Sequence, residues 1–111
     1  MSKKMHSQRL RNLTTGRLHT KLNDFYEDLG WLCGESGIMT HMLPNMLEAV
    51  APWLRQYVTD ERYWNGEYDP SHAEVLTLPA PTALERLEIW DRYRAIPSPF
   101  ARSNIQGTQD R

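Results

Sequence analysis

The run Thr14-Thr15-Gly16-Arg17 brings together two hydroxyls, a residue free to take positive φ and a fork donor that is always charged. Those are the parts of a phosphate cradle; the competing reading is that the threonines and glycine shape a turn and Arg17 is solvated. Thr40-His41, at the mouth of an expected helix, offers donors at a dipole-positive end, or else a plain threonine cap with His41 resting on Pro44. Tyr26 and Trp64 could stack a base. Trp64 stands with Tyr63 and Tyr68 in a turn-rich stretch that either exposes an aromatic surface or folds down over a small core. The candidate ligand-binding set is thus Thr14, Thr15, Gly16, Arg17, Tyr26, Thr40, His41 and Trp64. The chemistry it suggests is capture of a small phosphorylated molecule, with no cofactor.

Other chemistries find less support. His6, His19, His41 and His72 are scattered, and Cys33 is the one cysteine, so no paired spacing of a zinc site occurs. Cys33 and His41 are the nearest nucleophile–base pair, and Cys33 sits in an apolar segment where it reads as a buried core thiol. Phosphate-loop and dinucleotide glycine patterns are absent. An enzyme is therefore the last-ranked class.

Elements must position these residues. Leu22, Phe25, Tyr26, Leu29 and Leu32/Cys33 repeat at helical spacing and predict a helix over about residues 23–33, capped by Asn23 or Asp24 and stopped at Gly34. Gly30 inside it costs roughly 1 kcal/mol against alanine, which points to another backbone or a ring packed there. Leu43, Met46, Leu47, Val50, Trp53, Leu54 and Tyr57 predict a second helix over 44–58, with Pro44 in its first turn and Pro52 expected to kink or split it. Residues 59–72 read as a polar loop, and 74–78 as one short strand. Thr82 and Glu85 have capping-box spacing ahead of Leu84, Leu87, Trp90 and Tyr93, which predicts a helix over 83–94. The expected fold is mainly α: three to four short helices with long loops, room for one small β-strand pair, and a basic N-terminal arm. Residues 1–12 are read as that flexible arm, 13–97 as a single small helical domain opened by a turn-like or extended stretch at 13–18, and 98–111 as an extended or disordered tail.

The 111 residues carry a formal net charge of −1, which hides a marked asymmetry. Lys3, Lys4, Arg9, Arg11, Arg17 and Lys21 precede any acid, whereas residues 22–81 hold ten acids against Arg55 and Arg62. Such a split points to an anionic ligand at the arm, to the arm folding over a neighbouring body in an oligomer, or simply to solvated charge. An acidic centre and a pI near 6.4 make nucleic acid an unfavoured partner. No apolar run is long enough to span a membrane, and a lone thiol suits a reducing cytoplasm. A core this small gains from homo-oligomerisation, so a dimer or higher assembly is expected.

Leu13-Thr14-Thr15-Gly16-Arg17-Leu18, Asp24-Phe25-Tyr26 with Gly30-Trp31-Leu32 and Gly34, Thr40-His41-Met42-Leu43-Pro44 and Pro52-Trp53-Leu54 together form a pattern. Over residues 13–58 it resembles a family of small tailed-phage and prophage proteins of unassigned function. The resemblance implies a phage origin and work in the host cytoplasm, in the manner of accessory proteins that counter antiviral defence. One expected function is sequestration of a phosphorylated, cyclic-nucleotide-type immune signal. The alternative is protein–protein inhibition of a host defence effector, comparable to an anti-CRISPR protein; a DNA-binding accessory role ranks below both.

Overall fold

A computed structural model of the chain describes residues 2–67 and 69–97. Among these residues, four α-helices and one two-stranded antiparallel sheet follow the order β1 (Lys3–His6), α1 (Ser7–Thr15), α2 (Leu22–Cys33), α3 (Leu43–Tyr57), β2 (Val75–Leu78) and α4 (Ala83–Ala95). Single turns of 3-10 helix stand at Thr40–Met42, before α3, and at Glu61–Tyr63. The mainly helical fold with one small strand pair is as the sequence predicts. Tyr68 and the tail 98–111 lie outside the described residues.

The segment read as a flexible arm is built into the fold. Residues 3–6 pair with β2 in the register Lys3↔Leu78, Lys4↔Thr77, Met5↔Leu76 and His6↔Val75. The His6 ring then caps α1, Nδ1 accepting the Gln8 N–H at 3.1 Å. Helix α1 buries Leu10 and Leu13 together with the polar Ser7, Arg11 and Asn12. Two apolar side chains among nine residues leave almost no hydrophobic period, which is why the sequence reads as unstructured. Leu13, Thr14 and Thr15 form the last turn of this helix rather than an extended lead into the domain, and Gly16 closes it at φ 74° with its N–H on the Asn12 carbonyl.

Part of the charge asymmetry, that of Lys3 and Arg9, is taken up inside the molecule. Arg9 reaches both oxygens of Asp28 at 2.9 and 2.6 Å, and Lys3 Nζ lies 3.0 Å from the same carboxylate. Asp28 is fully buried on α2, with Glu27 and Asp24 on the flank of the pairing at 3.4 and 3.8 Å from Arg9. The basic segment thus folds over the acidic helix of its own chain.

Helix α2 starts at Leu22 behind Lys21, with no side-chain cap from Asn23 or Asp24, and ends at Gly34. A Cβ added at Gly30 would stand 2.9 Å from the carbonyl oxygen of Glu35, whose own N–H bonds the Gly30 carbonyl at 3.0 Å. The packed backbone expected there is this returning turn. Gly30→Ala gains about 1 kcal/mol of helix propensity but meets a main-chain oxygen that cannot swing aside. A net loss of about 1–2 kcal/mol is expected, read as a lowered melting temperature; a rise would show that the turn gives way.

Pro52 neither splits nor ends α3, which runs through it as one element. Arg92 of α4 donates through Nε to the Ala49 carbonyl at 2.8 Å, supplying an outside donor in the turn the proline ring crowds. Helix α4 has the expected capping box, Thr82 and Glu85 exchanging bonds of 2.8 and 3.1 Å. Its expected core face is turned in part, however. Leu84 and Leu87 are 67% and 58% exposed, while Ile89 is buried and Trp90 donates to the Cys33 carbonyl at 3.0 Å. Trp53 is buried and Trp31 and Trp90 half-buried. Cys33 lies in the core, its thiol pushed up to about 12 by burial.

Candidate binding site

Thr14-Thr15-Gly16-Arg17 forms a helix C-terminus, the dipole-negative end and the opposite of what an anion seeks. The Thr14 hydroxyl donates to the Tyr63 carbonyl and the Thr15 hydroxyl to the Arg11 carbonyl. Thr15 Oγ1 in turn accepts the Arg17 N–H at 3.1 Å and lies 3.1 Å from His19 Nε2, so its bonding capacity is filled. Arg17 remains. Its exposed guanidinium makes one long bond, 3.3 Å, to the Gly66 carbonyl at the rim of an open hollow of about 580 Å³ shared with Leu18, His19, Asn65 and Glu67. Burial, then Arg11 and Arg17, hold His19 below its ordinary titration range.

The remaining candidates divide. Tyr26 on α2 and Thr40 in the 3-10 turn share a hydroxyl–hydroxyl bond of 2.6 Å, and His41 lies exposed beside Thr40. Neither Thr40 nor His41 is at an α-helix N-terminus, because the single 3-10 turn intervenes before Leu43. Trp64 is half-buried, its Nε1–H donating to the Val58 carbonyl at 2.8 Å and the Arg55 guanidinium lying 3.9 Å from its ring centroid. One face of the indole carries a cation–π contact from its own chain. Tyr63 is buried, so this stretch folds down over the core. No described hydrogen bond joins Tyr26, Thr40 or Trp64 to Arg17.

Beside Tyr26 runs an open groove of about 620 Å³, bounded by Trp31, Glu27 and the Gly34–Ser36 turn. Its aromatic and acidic lining is the reverse of an anion site. The groove is not evident from the sequence; the one available signal is the unusual Gly30, which lets the turn close against the helix.

A second cluster unread from sequence centres on Arg11, 2% exposed. Its guanidinium donates to the carbonyls of Arg62 at 3.1 Å, Asn65 at 3.3 Å and Glu67, and to His72 Nδ1 at 3.2 Å. Arginine can only donate, so His72 Nδ1 accepts and Nε2 carries the proton, which goes to Glu74 at 3.1 Å. The Tyr63 hydroxyl also donates to Glu74, at 2.6 Å. Asp60, His72 and Glu74 place ligand atoms within 4.8 Å of one another, the spacing of a metal site. The chemistry does not fit one. The single free imidazole lone pair faces Arg11, and Arg62 grips Asp60 at 2.7 Å and pulls it down to about 2. The cluster is a hydrogen-bonded brace for the 59–74 segment.

Glu74 is held below the ordinary carboxyl value of 4.5 by the Tyr63 hydroxyl first and His72 second. A depressed folded value adds stability above the unfolded value, and that stability is lost as pH falls through the folded one. Wild type should therefore lose urea resistance on acidification below about pH 4.5, and Glu74→Gln should show a shallower fall. Parallel curves for the two proteins would show that Glu74 contributes nothing.

No helix among the described residues is long and apolar enough to cross a membrane. No curated protein and no solved structure matches the chain. A family model described as a domain of unknown function, DUF7736, matches residues 5–64, from β1 through the second 3-10 turn and including most of the segment read as an arm. That match spans more than half of the 111 residues, and the chain belongs to the DUF7736 family.

Proposed function

We propose that this is a non-catalytic, phage-encoded binding protein that counters host defence by contact with another protein, through the groove beside Tyr26 and Trp31. The observation that carries the reading is a contrast. Three of the four parts of the anion cradle are spent on internal bonds or on capping a helix at its negative end, whereas the aromatic–acidic groove stands open. Sequestration of a phosphorylated signal is a second reading, favoured by the spare donors of Arg17 at the rim of its hollow. Glu67 in the same lining opposes it.

One experiment separates the two. The protein is expressed in bacterial hosts carrying individual defence systems, and plating of a defence-sensitive phage is scored. Restored plating that survives Arg17→Ala but fails with Glu35→Lys supports protein contact. Loss with Arg17→Ala alone transfers the function to the hollow, and no effect of wild type on any system sinks both readings.

A further inference from the structure

We propose that the α2 groove recognises an arginine or lysine side chain within a basic segment of a partner protein. This rests on the protein-contact reading and names the chemistry of the contact. Tyr26 and Trp31 supply aromatic rings, and Glu27 and Glu35 the carboxylates. Glu35 is exposed and makes no ion pair among the described residues. Glu27 is already shared with Lys3 and Arg9, so the open charge is that of Glu35: an anion entering here would meet it as a like charge, and a cation as an opposite charge beside the Tyr26 and Trp31 rings.

The chain itself shows that this edge of α2 accepts a cation. Lys3 Nζ lies 5.7 Å from the Trp31 ring centroid and 3.4 Å from Glu27 Oε1, one ammonium on one ring and one carboxylate of the set. About 620 Å³ is room for a side chain and its neighbours, not for a whole helix. Arginine fits better than lysine, since its plane both stacks on a ring and forks onto a carboxylate.

A peptide segment, rather than a free polyamine, is indicated by what lies alongside. Leu22, one helical turn before Tyr26 on the same stripe, is 48% exposed, and Met39, next to the Thr40 that bonds Tyr26, is 61% exposed. Those apolar side chains offer a surface to apolar neighbours of the charged guest, which a polyamine lacks.

The test is a titration of the full, isotope-labelled chain, followed by amide and indole NMR shifts, with the capped peptide acetyl-Gly-Leu-Arg-Leu-Gly-amide and with its glutamate counterpart. The arginine peptide should shift the Trp31 indole and the Gly30 and Gly34 amides saturably, and the glutamate peptide should not. Glu35→Lys should weaken binding at least about five-fold with an unchanged melting temperature, because the side chain it replaces holds no hydrogen-bond or ion-pair partner among the described residues. Trp31→Leu should weaken it again. Absence of saturation, equal response to both peptides, or indifference to both variants overturns the proposal. So does spermidine binding as tightly as the peptide, which would make this a small-cation site, and so do shifts that depend on dilution without peptide, which would put a second copy of the chain in the groove. Peptide binding with no effect on phage plating would remove the counter-defence reading alone. Plating that needs Glu35 and Trp31 without peptide binding would remove the cationic guest alone.

Discussion

Deleting residues 2–6 is expected to abolish cooperative folding, although composition marks them as a dispensable basic tail. Met5 is buried at 1% exposure, and losing a buried methionine costs about 2–5 kcal/mol. The same deletion removes Lys3 from Asp28, leaving a fully buried carboxylate with Arg9 as its remaining partner, and strips β2 of the strand it pairs with. A lone strand has no ladder, and Leu78, buried at 1%, loses its cover. The combined loss, about 4 kcal/mol or more, is comparable with the whole stability of a marginal small domain, about 5 kcal/mol. The readout is the sharpness of thermal unfolding by circular dichroism. A truncated protein that melts within a few degrees of the full chain would restore the arm reading. Lys3→Met with the strand intact separates the ionic part, and its effect should be a fraction of the deletion's because Arg9 still holds both oxygens of Asp28.

What the sequence revealed and what it hid follow from one cause. Helices α2 and α3 and the capped start of α4 were legible because each has an apolar stripe, or a local cap such as Thr82 with Glu85, whose physics is contained within a few residues. Helix α1 was illegible because Arg11 and Asn12 are core residues there, and a buried polar side chain is recognisable only through partners about fifty residues away. Asn12 has nearer partners, in a loop with no pattern of its own: its Oδ1 accepts the His19 N–H at 2.6 Å and its Nδ2 donates to Thr20 at 2.7 Å, fixing the loop after Gly16. The TTGR string is ambiguous for a related reason. Identical residues cradle an anion at a helix start and merely close a helix at its end, and only α1, itself unseen, decides which. On α4 the period was right and the face half right: Trp90 and Tyr93 pack on the core while Leu84 and Leu87 face out, since apolar side chains on two faces of the helix leave the direction of the core undetermined.

Arg11→Met carries the other large expected effect, a destabilisation of about 3 kcal/mol, because the arginine supplies the chief polar anchor of an irregular segment. Among the described residues of 59–74 there is one 3-10 turn and no longer element, so their carbonyls lack the partners that a helix or sheet would provide. Three of those carbonyls, on Arg62, Asn65 and Glu67, converge on one guanidinium, which also fixes the His72 tautomer that serves Glu74. Methionine keeps the apolar stem but leaves the three acceptors to water, and each lost bond from a charged donor costs about 1.5–3 kcal/mol before relaxation. Arg11→Lys should fare little better, because a single ammonium cannot span acceptors arranged for a planar fork. The loss should be local before it is global: limited proteolysis is expected to cut within 59–74 first, while Tyr63, tied to Glu74 and stacked edge-on to His72 at 4.5 Å, becomes exposed. A urea midpoint within error of wild type would mean that the segment is held by Gln8 and Ser7, whose side chains also bond the Asp69 and His72 carbonyls. In that case Gln8→Ala, and not Arg11→Met, should release it. The groove on α2 lies on a different set of contacts, so arginine-peptide binding measured below the unfolding transition should be unchanged in Arg11→Met, which makes the two halves of the molecule separable by experiment.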